Sequence, residues 1–130
     1  MNKLVLGVDV GGTKIATAVV TEEGKVISRG YGSTSAQAGP RVVIDNIFAT
    51  IDKAISSSNV AVSQLSGIGI AAAGIIDSKN GKVIFSPNLP GWREVPLGAT
   101  VHQRFNLPTY LGNDASLAAL GEWRLSLIHI

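Results

Sequence analysis

The chain contains no cysteine, one methionine and few aromatic residues. The absence of cysteine excludes disulfide bridges and permits a cytoplasmic location without requiring one. Charged residues make up only 15% of the sequence, and the formal charge of +2 is scattered along it. This nearly neutral balance argues against a nucleic-acid partner. We expect no cleavable signal peptide from the start of the sequence, and no apolar run is long enough for a membrane helix.

Hydrophobic residues, by contrast, account for 45% of the 130 positions, which is enough for one domain with a buried core. Alternating apolar residues predict three antiparallel strands at 4–8, 15–20 and 26–31. Residues 32–39 read as a loop. Pro40 marks a helix start, and the helix carries an apolar stripe at helical spacing: Ile44, Ile47, Phe48, Ile51 and Ile55. The run 65–73 follows as a buried parallel strand, so the pattern is α/β.

The most informative stretch is the loop Asp9-Val10-Gly11-Gly12-Thr13-Lys14 between the first two strands. Two adjacent glycines allow positive φ and a close approach of ligand to backbone, and freed N–H groups would form a concavity for an anion. A bare Asp9 carboxylate at the end of a buried strand would be costly. A phosphate held by the turn, with a cation between it and Asp9, explains both features. The alternative is an ordinary glycine-rich hairpin turn.

Two later segments have the character of a ligand site. The strand at 65–73 ends in Ala71-Ala72-Ala73-Gly74, and residues this small leave room for a ligand where open α/β sheets bind one. Close packing against a helix explains them equally. A hairpin turn at 77–81 and a strand at 83–85 lead to the loop 86–92, which contains Asn88 and an exposed-looking Trp92. That loop suits a sugar site or a purely structural connection.

The last segment runs from a short helix around Leu97, Val101 and Phe105 through a strand at 109–111 to Asn113 and Asp114. A helix is predicted at 115–123, with small residues on one face. Asn113 and Asp114 therefore lie where a strand gives way to a helix, and on this feature alone helix capping is the simplest reading. The two histidines are isolated from other candidate metal ligands.

Taken together, three of these segments resemble one known family, the ROK sugar kinases and repressors of the actin-like ATPase superfamily. They are the loop 9–14, the strand end 67–74 leading to 88–92, and the segment 112–122, in the family's order. The resemblance covers residues 3–123 and is closest to bacterial glucokinases. It implies a ribonuclease-H-like half-domain, an α/β fold with a mixed five-stranded sheet and flanking helices.

The resemblance also implies a reaction, the ATP-dependent phosphorylation of a hexose, with glucose to glucose 6-phosphate as the leading case. Asp114 would be the general base that takes the proton from the sugar 6-hydroxyl. Gly74, Asn88 and Asn113 would bind the sugar with it.

The nucleotide side is implied in the same way. The backbone of Gly11, Gly12 and Thr13, with Lys14 nearby, would hold the ATP phosphates. Asp9 would be the metal residue, orienting Mg²⁺ through water.

Departures from the family pattern concern the end of the chain. Family members are considerably longer, and their second half carries a Glu-x-x-His sugar motif, a Cys/His zinc cluster and adenosine-binding glycines, none of which occurs here. We therefore expect residues 1–123 to be an N-terminal half and residues 124–130 to be a tail produced by truncation or frameshift. Structural zinc and homo-oligomer formation are expected of the full-length protein, and little or no turnover of this chain alone.

Two other functions stay open at this point. A ROK transcriptional repressor would carry a helix-turn-helix ahead of the phosphate motif, whereas here that motif begins at Asp9. A non-catalytic sugar-binding module is the other alternative. The residues present do not select one hexose over another.

Overall fold

A computed structural model describes residues 3–113. Within this range the chain forms eight strands and two α-helices, joined by turns and two short 3₁₀ segments. The elements are β1 (Leu4–Val10), β2 (Lys14–Thr21), β3 (Val26–Ser33), α1 (Pro40–Ser58), β4 (Leu65–Ala72), β5 (Ile75–Asp77), β6 (Lys82–Phe85), β7 (Arg93–Val95), α2 (Leu97–Phe105) and β8 (Thr109–Asn113).

The main sheet has five strands in the order β3-β2-β1-β4-β8. β1 pairs antiparallel with β2, and β2 with β3, while β4 runs parallel to both β1 and β8. The predicted mixed five-stranded sheet with flanking helices is therefore confirmed. Most strands extend beyond their predicted ends, as β3 does to Ser33, whereas β4 ends at Ala72, one residue short of its prediction. A 3₁₀ turn at Ala36–Ala38 lies in the stretch predicted as loop.

Helix α1 follows its sequence signals closely. Pro40 occupies the first turn, where its missing N–H costs nothing, and Asn59 ends the helix in the left-handed conformation. Ile47 and Ile51 of the predicted stripe are fully buried, and the other three members of the stripe pack against the same core. Burying such a side chain stabilises the fold by roughly 1.5–3 kcal/mol. The helix lies so close to β3 that a Cβ at Gly30 would come within 2.7 Å of the Thr50 carbonyl oxygen.

A second, smaller antiparallel sheet has the order β5-β6-β7. The predicted hairpin at 77–81 joins its first two strands, and Asp77 accepts hydrogen bonds from the backbone and side chain of Asn80 at 3.2 and 2.8 Å. The third strand, β7, was not predicted. Helix α2 follows it and buries Leu97, Val101 and Phe105, as its spacing predicts. No helix within residues 3–113 combines the length and apolar character needed to cross a membrane.

The two faces of the main sheet differ in character. Leu6 and Val8 of β1 belong to the large core that also includes residues of α1, whereas Val5 forms a small cluster with Ala71. Side chains alternate along a strand, so Asp9 shares the face of Val5. Five residues on that face form a row of direct neighbours across the adjacent strands, near the end of the sheet where β1 and β4 finish. In order across the sheet they are Gly112, Ala71, Asp9, Ala16 and Tyr31.

Candidate functional site

The three segments singled out in the sequence converge at one end of the main sheet. β1, β4 and β8 are parallel, and their final residues lie side by side: Val10 pairs with Ala72, and Ala72 with Asn113. The loops that leave these strands therefore meet at the carboxyl edge, where open α/β sheets bind ligands.

The loop after β1 is held by hydrogen bonds on two sides. Gly11 N–H donates to the Lys14 carbonyl at 3.0 Å. Thr34, which directly follows β3, holds the other side of the loop: its hydroxyl donates to the Gly11 carbonyl at 2.7 Å and its N–H to the Thr13 carbonyl at 2.9 Å. Thr34 is completely buried, yet nothing in its polar sequence surroundings pointed to this role. Within residues 3–113 no hydrogen bond uses the N–H of Gly12 or Thr13, and both residues are exposed. These two N–H groups could donate hydrogen bonds to a bound anion.

Gly11 and Gly12 do not use the positive φ that glycine allows, because the positive-φ glycines of the described residues lie elsewhere. Close contacts explain them instead. A Cβ at Gly11 would lie 2.9 Å from the Lys14 carbonyl oxygen, and a Cβ at Gly12 would lie 3.2 Å from Cβ of Asn88. The second contact places the phosphate-type loop directly against the loop that carries Asn88.

Asp9 differs from its sequence-based description. Its side chain is exposed rather than buried, because its neighbours across the row are Ala16 and Ala71, which are too small to cover it. The desolvation argument for a cation at Asp9 therefore does not hold. In the described part of the chain Asp9 has no ion-pair partner, and no group of three or more metal-ligating side chains occurs there. A lone accessible carboxylate does fit Mg²⁺, which keeps several waters and takes its other ligands from phosphate.

Asn113 and Gly74, both predicted to bind sugar, are in direct contact. The Asn113 side-chain amide donates to the Gly74 carbonyl oxygen at 2.6 Å. Gly74 has φ 114°, and a Cβ there would overlap the carbonyl oxygen of Phe85. The chain can therefore pass from β4 to β5 along this path only with glycine at position 74. Asp114 and the helix predicted at 115–123 lie outside the described residues.

The loop 86–92 is held in place by backbone hydrogen bonds and by two buried side chains. Leu89 N–H donates to the Ser86 carbonyl at 3.3 Å and Trp92 N–H to the Leu89 carbonyl at 3.2 Å, forming successive turns. Trp92 is only 1% exposed, so the expectation of an exposed indole is wrong: it packs in the core with Leu89. Asn88 is exposed at the top of the loop. The loop thus has a structural base and presents one amide.

Comparison with known proteins bears on this arrangement. The profile of the ROK family matches residues 5–126. The chain belongs to the ROK family. A glucokinase of Halalkalibacterium halodurans is 38% identical over 92% of this chain and 36% of that protein. A xylose repressor of Caldicellulosiruptor bescii is 34% identical over 91% of this chain and 29% of the repressor. The crystal structure of a ROK family glucokinase from Streptomyces griseus, in complex with glucose and AMPPNP, superposes with a TM-score of 0.79 at 40% identity, covering 93% of this chain and 36% of the enzyme.

ROK membership confirms the predicted fold, a half-domain of the actin-like ATPase type, and the predicted kinship with glucokinases. This ROK chain spans about a third of the length of these relatives. The individual roles assigned to Asp9, Lys14, Asn88, Asn113 and Asp114 stay predictions.

Proposed function

We propose that the protein is an ATP-dependent hexose kinase, with glucose as its first candidate substrate. The observation that carries the proposal is the convergence of two loops. Gly12, in the loop 9–14 with its two exposed N–H donors, lies against Asn88. The Asn113 side chain is hydrogen-bonded to the Gly74 carbonyl at the same edge of the sheet. The loop predicted to bind phosphate and the residues predicted to bind sugar therefore adjoin at the ends of parallel strands. That juxtaposition suits transfer of a phosphoryl group, in which catalysis depends mainly on positioning and charge neutralisation.

On the nucleotide side, the N–H groups of Gly12 and Thr13 would donate to phosphate oxygens and the Lys14 ammonium would lie nearby. Mg²⁺ at Asp9 would supply neutralisation of the charge on the transferred group. Asp9 would hold it through water, since the carboxylate is exposed and belongs to no group of three or more metal-ligating side chains within residues 3–113.

On the sugar side, Asn88, Asn113 and the Gly74 backbone would bind hydroxyls. Asp114, the residue after Asn113, would accept the proton of the 6-hydroxyl as that oxygen attacks the γ-phosphorus. A placed base of this kind contributes roughly 10²–10⁴-fold to a rate. Cytoplasmic ATP and sugar are the expected partners.

Two other functions are possible alternatives to the kinase, and neither would consume ATP. The similarity to xylose repressors favours a sugar-responsive regulator as the second candidate. A sugar-binding module without transfer is the third. Either would bind a sugar and leave Mg·ATP unconsumed.

The deciding assay is hexose-dependent formation of ADP from Mg·ATP by the protein produced from its complete coding sequence, with Asp114→Asn as the matched variant. We expect turnover with glucose that falls roughly 10²–10⁴-fold in the variant. Mannose, fructose and N-acetylated hexoses are run in parallel to define the substrate. Glucose binding with no phosphorylation of any hexose would refute the kinase and favour the regulator or the binding module. The chain of 130 residues alone is expected to show little or no turnover.

A further inference from the structure

Lys14 stands between two side chains that can each hold its ammonium. Ala16 of β2 pairs with Asp9 of β1 on one side and with Tyr31 of β3 on the other. Lys14 lies two residues before Ala16, on the same face of the sheet. Asp9 and Tyr31 are therefore its two diagonal neighbours, at a separation that a lysine side chain spans easily.

The structure has Lys14 on the tyrosine. Its Nζ lies 5.0 Å from the centroid of the Tyr31 ring, within the range of a cation–π contact. The one ion pair found within residues 3–113 joins Arg104 to Asp52, so Lys14 and Asp9 are not paired there. Both charged groups are exposed, where an ion pair and a cation–π contact are of comparable strength. The Tyr31 ring can therefore compete with the Asp9 carboxylate for the Lys14 ammonium.

We propose that Tyr31 is a positioning residue that keeps the Lys14 ammonium away from the Asp9 carboxylate. An ion pair between the two would neutralise both charges before any ligand arrived. With Lys14 on Tyr31, the carboxylate stays available for a divalent cation and the ammonium for the phosphates of the same nucleotide. This inference rests on the proposed function, because it assigns those two charges to a metal–nucleotide complex.

The contact itself is tested on the chain without ligand. Protons held over an aromatic face resonate upfield, so we expect an upfield shift for the ε-methylene protons of Lys14 in the NMR spectrum. The shift should persist in Tyr31→Phe, which keeps the ring, and disappear in Tyr31→Leu, which keeps apolar bulk alone. An unshifted Lys14 signal in the parent chain would refute the contact and the proposal with it.

The role is tested by titrating the protein produced from its complete coding sequence with Mg·AMPPNP at low ionic strength, where exposed charges are least screened. We expect Tyr31→Leu to weaken binding by roughly two- to five-fold, the scale of an exposed cation–π contact. Tyr31→Phe should bind like the parent chain. In the Lys14→Met background the change Tyr31→Leu should have no further effect, because there is no ammonium to release.

The outcomes separate the two proposals. An equal loss on Tyr31→Leu in the Lys14 and Lys14→Met backgrounds would show a general structural role for the tyrosine and refute this inference. So would undiminished binding in Tyr31→Leu, and in both cases the proposed function would stand. Absence of Mg·AMPPNP binding by the parent protein produced from its complete coding sequence would count against the proposed function and remove the basis of this inference as well.

Discussion

The side-chain amide of Asn113, at the end of β8, is bonded to the backbone carbonyl of Gly74, at the end of β4. The bond ties together two loops that follow adjacent parallel strands. The acceptor is a backbone carbonyl, so the bond does not depend on which side chain stands at position 74. It does depend on the backbone conformation of that residue. The first prediction concerns that conformation.

Gly74→Ala should cost about 3 kcal/mol or more of folding free energy, because it combines a strained backbone with a steric overlap. The added Cβ would overlap the Phe85 carbonyl and lie 2.8 Å from Cα of Ser86. Gly39→Ala is the matched control, since Gly39 has φ 94° and nothing within 4 Å of its Cβ position. Gly39→Ala should cost only the strain of placing a residue with a Cβ at positive φ, roughly 1–2 kcal/mol. Urea denaturation measures both, and equal losses would contradict the steric argument.

Gly12→Ala should lower the affinity for glucose with little loss of stability. Its Cβ would lie 3.2 Å from Cβ of Asn88, and a side chain on an exposed loop can shift by a few tenths of an ångström. Gly11→Ala is the contrasting variant, because its new Cβ meets the Lys14 carbonyl, a backbone atom already bonded to Gly11 N–H. That change should destabilise the fold by roughly 1–3 kcal/mol, the usual range for overpacking. Calorimetric glucose titration and thermal melts of both variants check the contrast.

Trp92→Ala and Asn88→Ala should separate the structural and ligand-binding parts of one loop. Removing the buried indole should cost about 3–5 kcal/mol, so any loss of glucose binding would accompany a loss of folded protein. Asn88→Ala should leave the melt within about 0.5 kcal/mol of the parent while weakening glucose binding.

Asn80→Ala is the matched control for Asn88→Ala, since it truncates an exposed asparagine in the β5–β6 turn. It should leave glucose affinity unchanged. Unaltered affinity in Asn88→Ala would remove that residue from the site.

The Asp77 carboxyl provides a pH-dependent contribution to stability. The Asn80 side chain, and then its backbone N–H, lower the pKa of Asp77 below its ordinary value of 3.8. Because the folded-state pKa is the lower one, this contribution is present above about pH 4 and is lost as pH falls through the folded-state pKa. Asn80→Ala should raise the Asp77 pKa toward 3.8, which ¹³C NMR titration of the side-chain carboxyl would measure. An unchanged pKa in that variant would show that the turn backbone and the Lys82 charge lower it without the Asn80 side chain.

The sequence predicted elements whose residues repeat a period over several turns or pleats. β1, β2 and α1 carry apolar residues that recur at strand or helix spacing over most of their length, and each was found in place. The strand β7 has three residues, Arg93–Val95, which is too short for alternation to be visible. Trp92 looked exposed because prolines and a glycine surround it, whereas its burial depends on a core assembled from distant segments.

The candidate site shows the same division. Its segments were identified from glycine, asparagine and aspartate at strand ends. Their contacts depend on strand register, which no local pattern specifies. The exposure of Asp9 results from Ala16 and Ala71 lying opposite it, and the position of Lys14 results from Tyr31 lying one strand away. Asp114 stays a prediction because it lies outside the described residues.

The order of strands in the main sheet has a consequence for how the protein acquires its structure. β1, β2 and β3 are joined by short turns, so their pairing needs only local contacts and should form early. The parallel pairs of β4 with β1 and β8 close much longer loops, which makes them slow. We expect pulse-labelled hydrogen exchange during refolding to protect Ala18 before Ile70. The loop at Gly12 would then exist before the segment that opposes it, and Asn88 would dock onto a surface already formed.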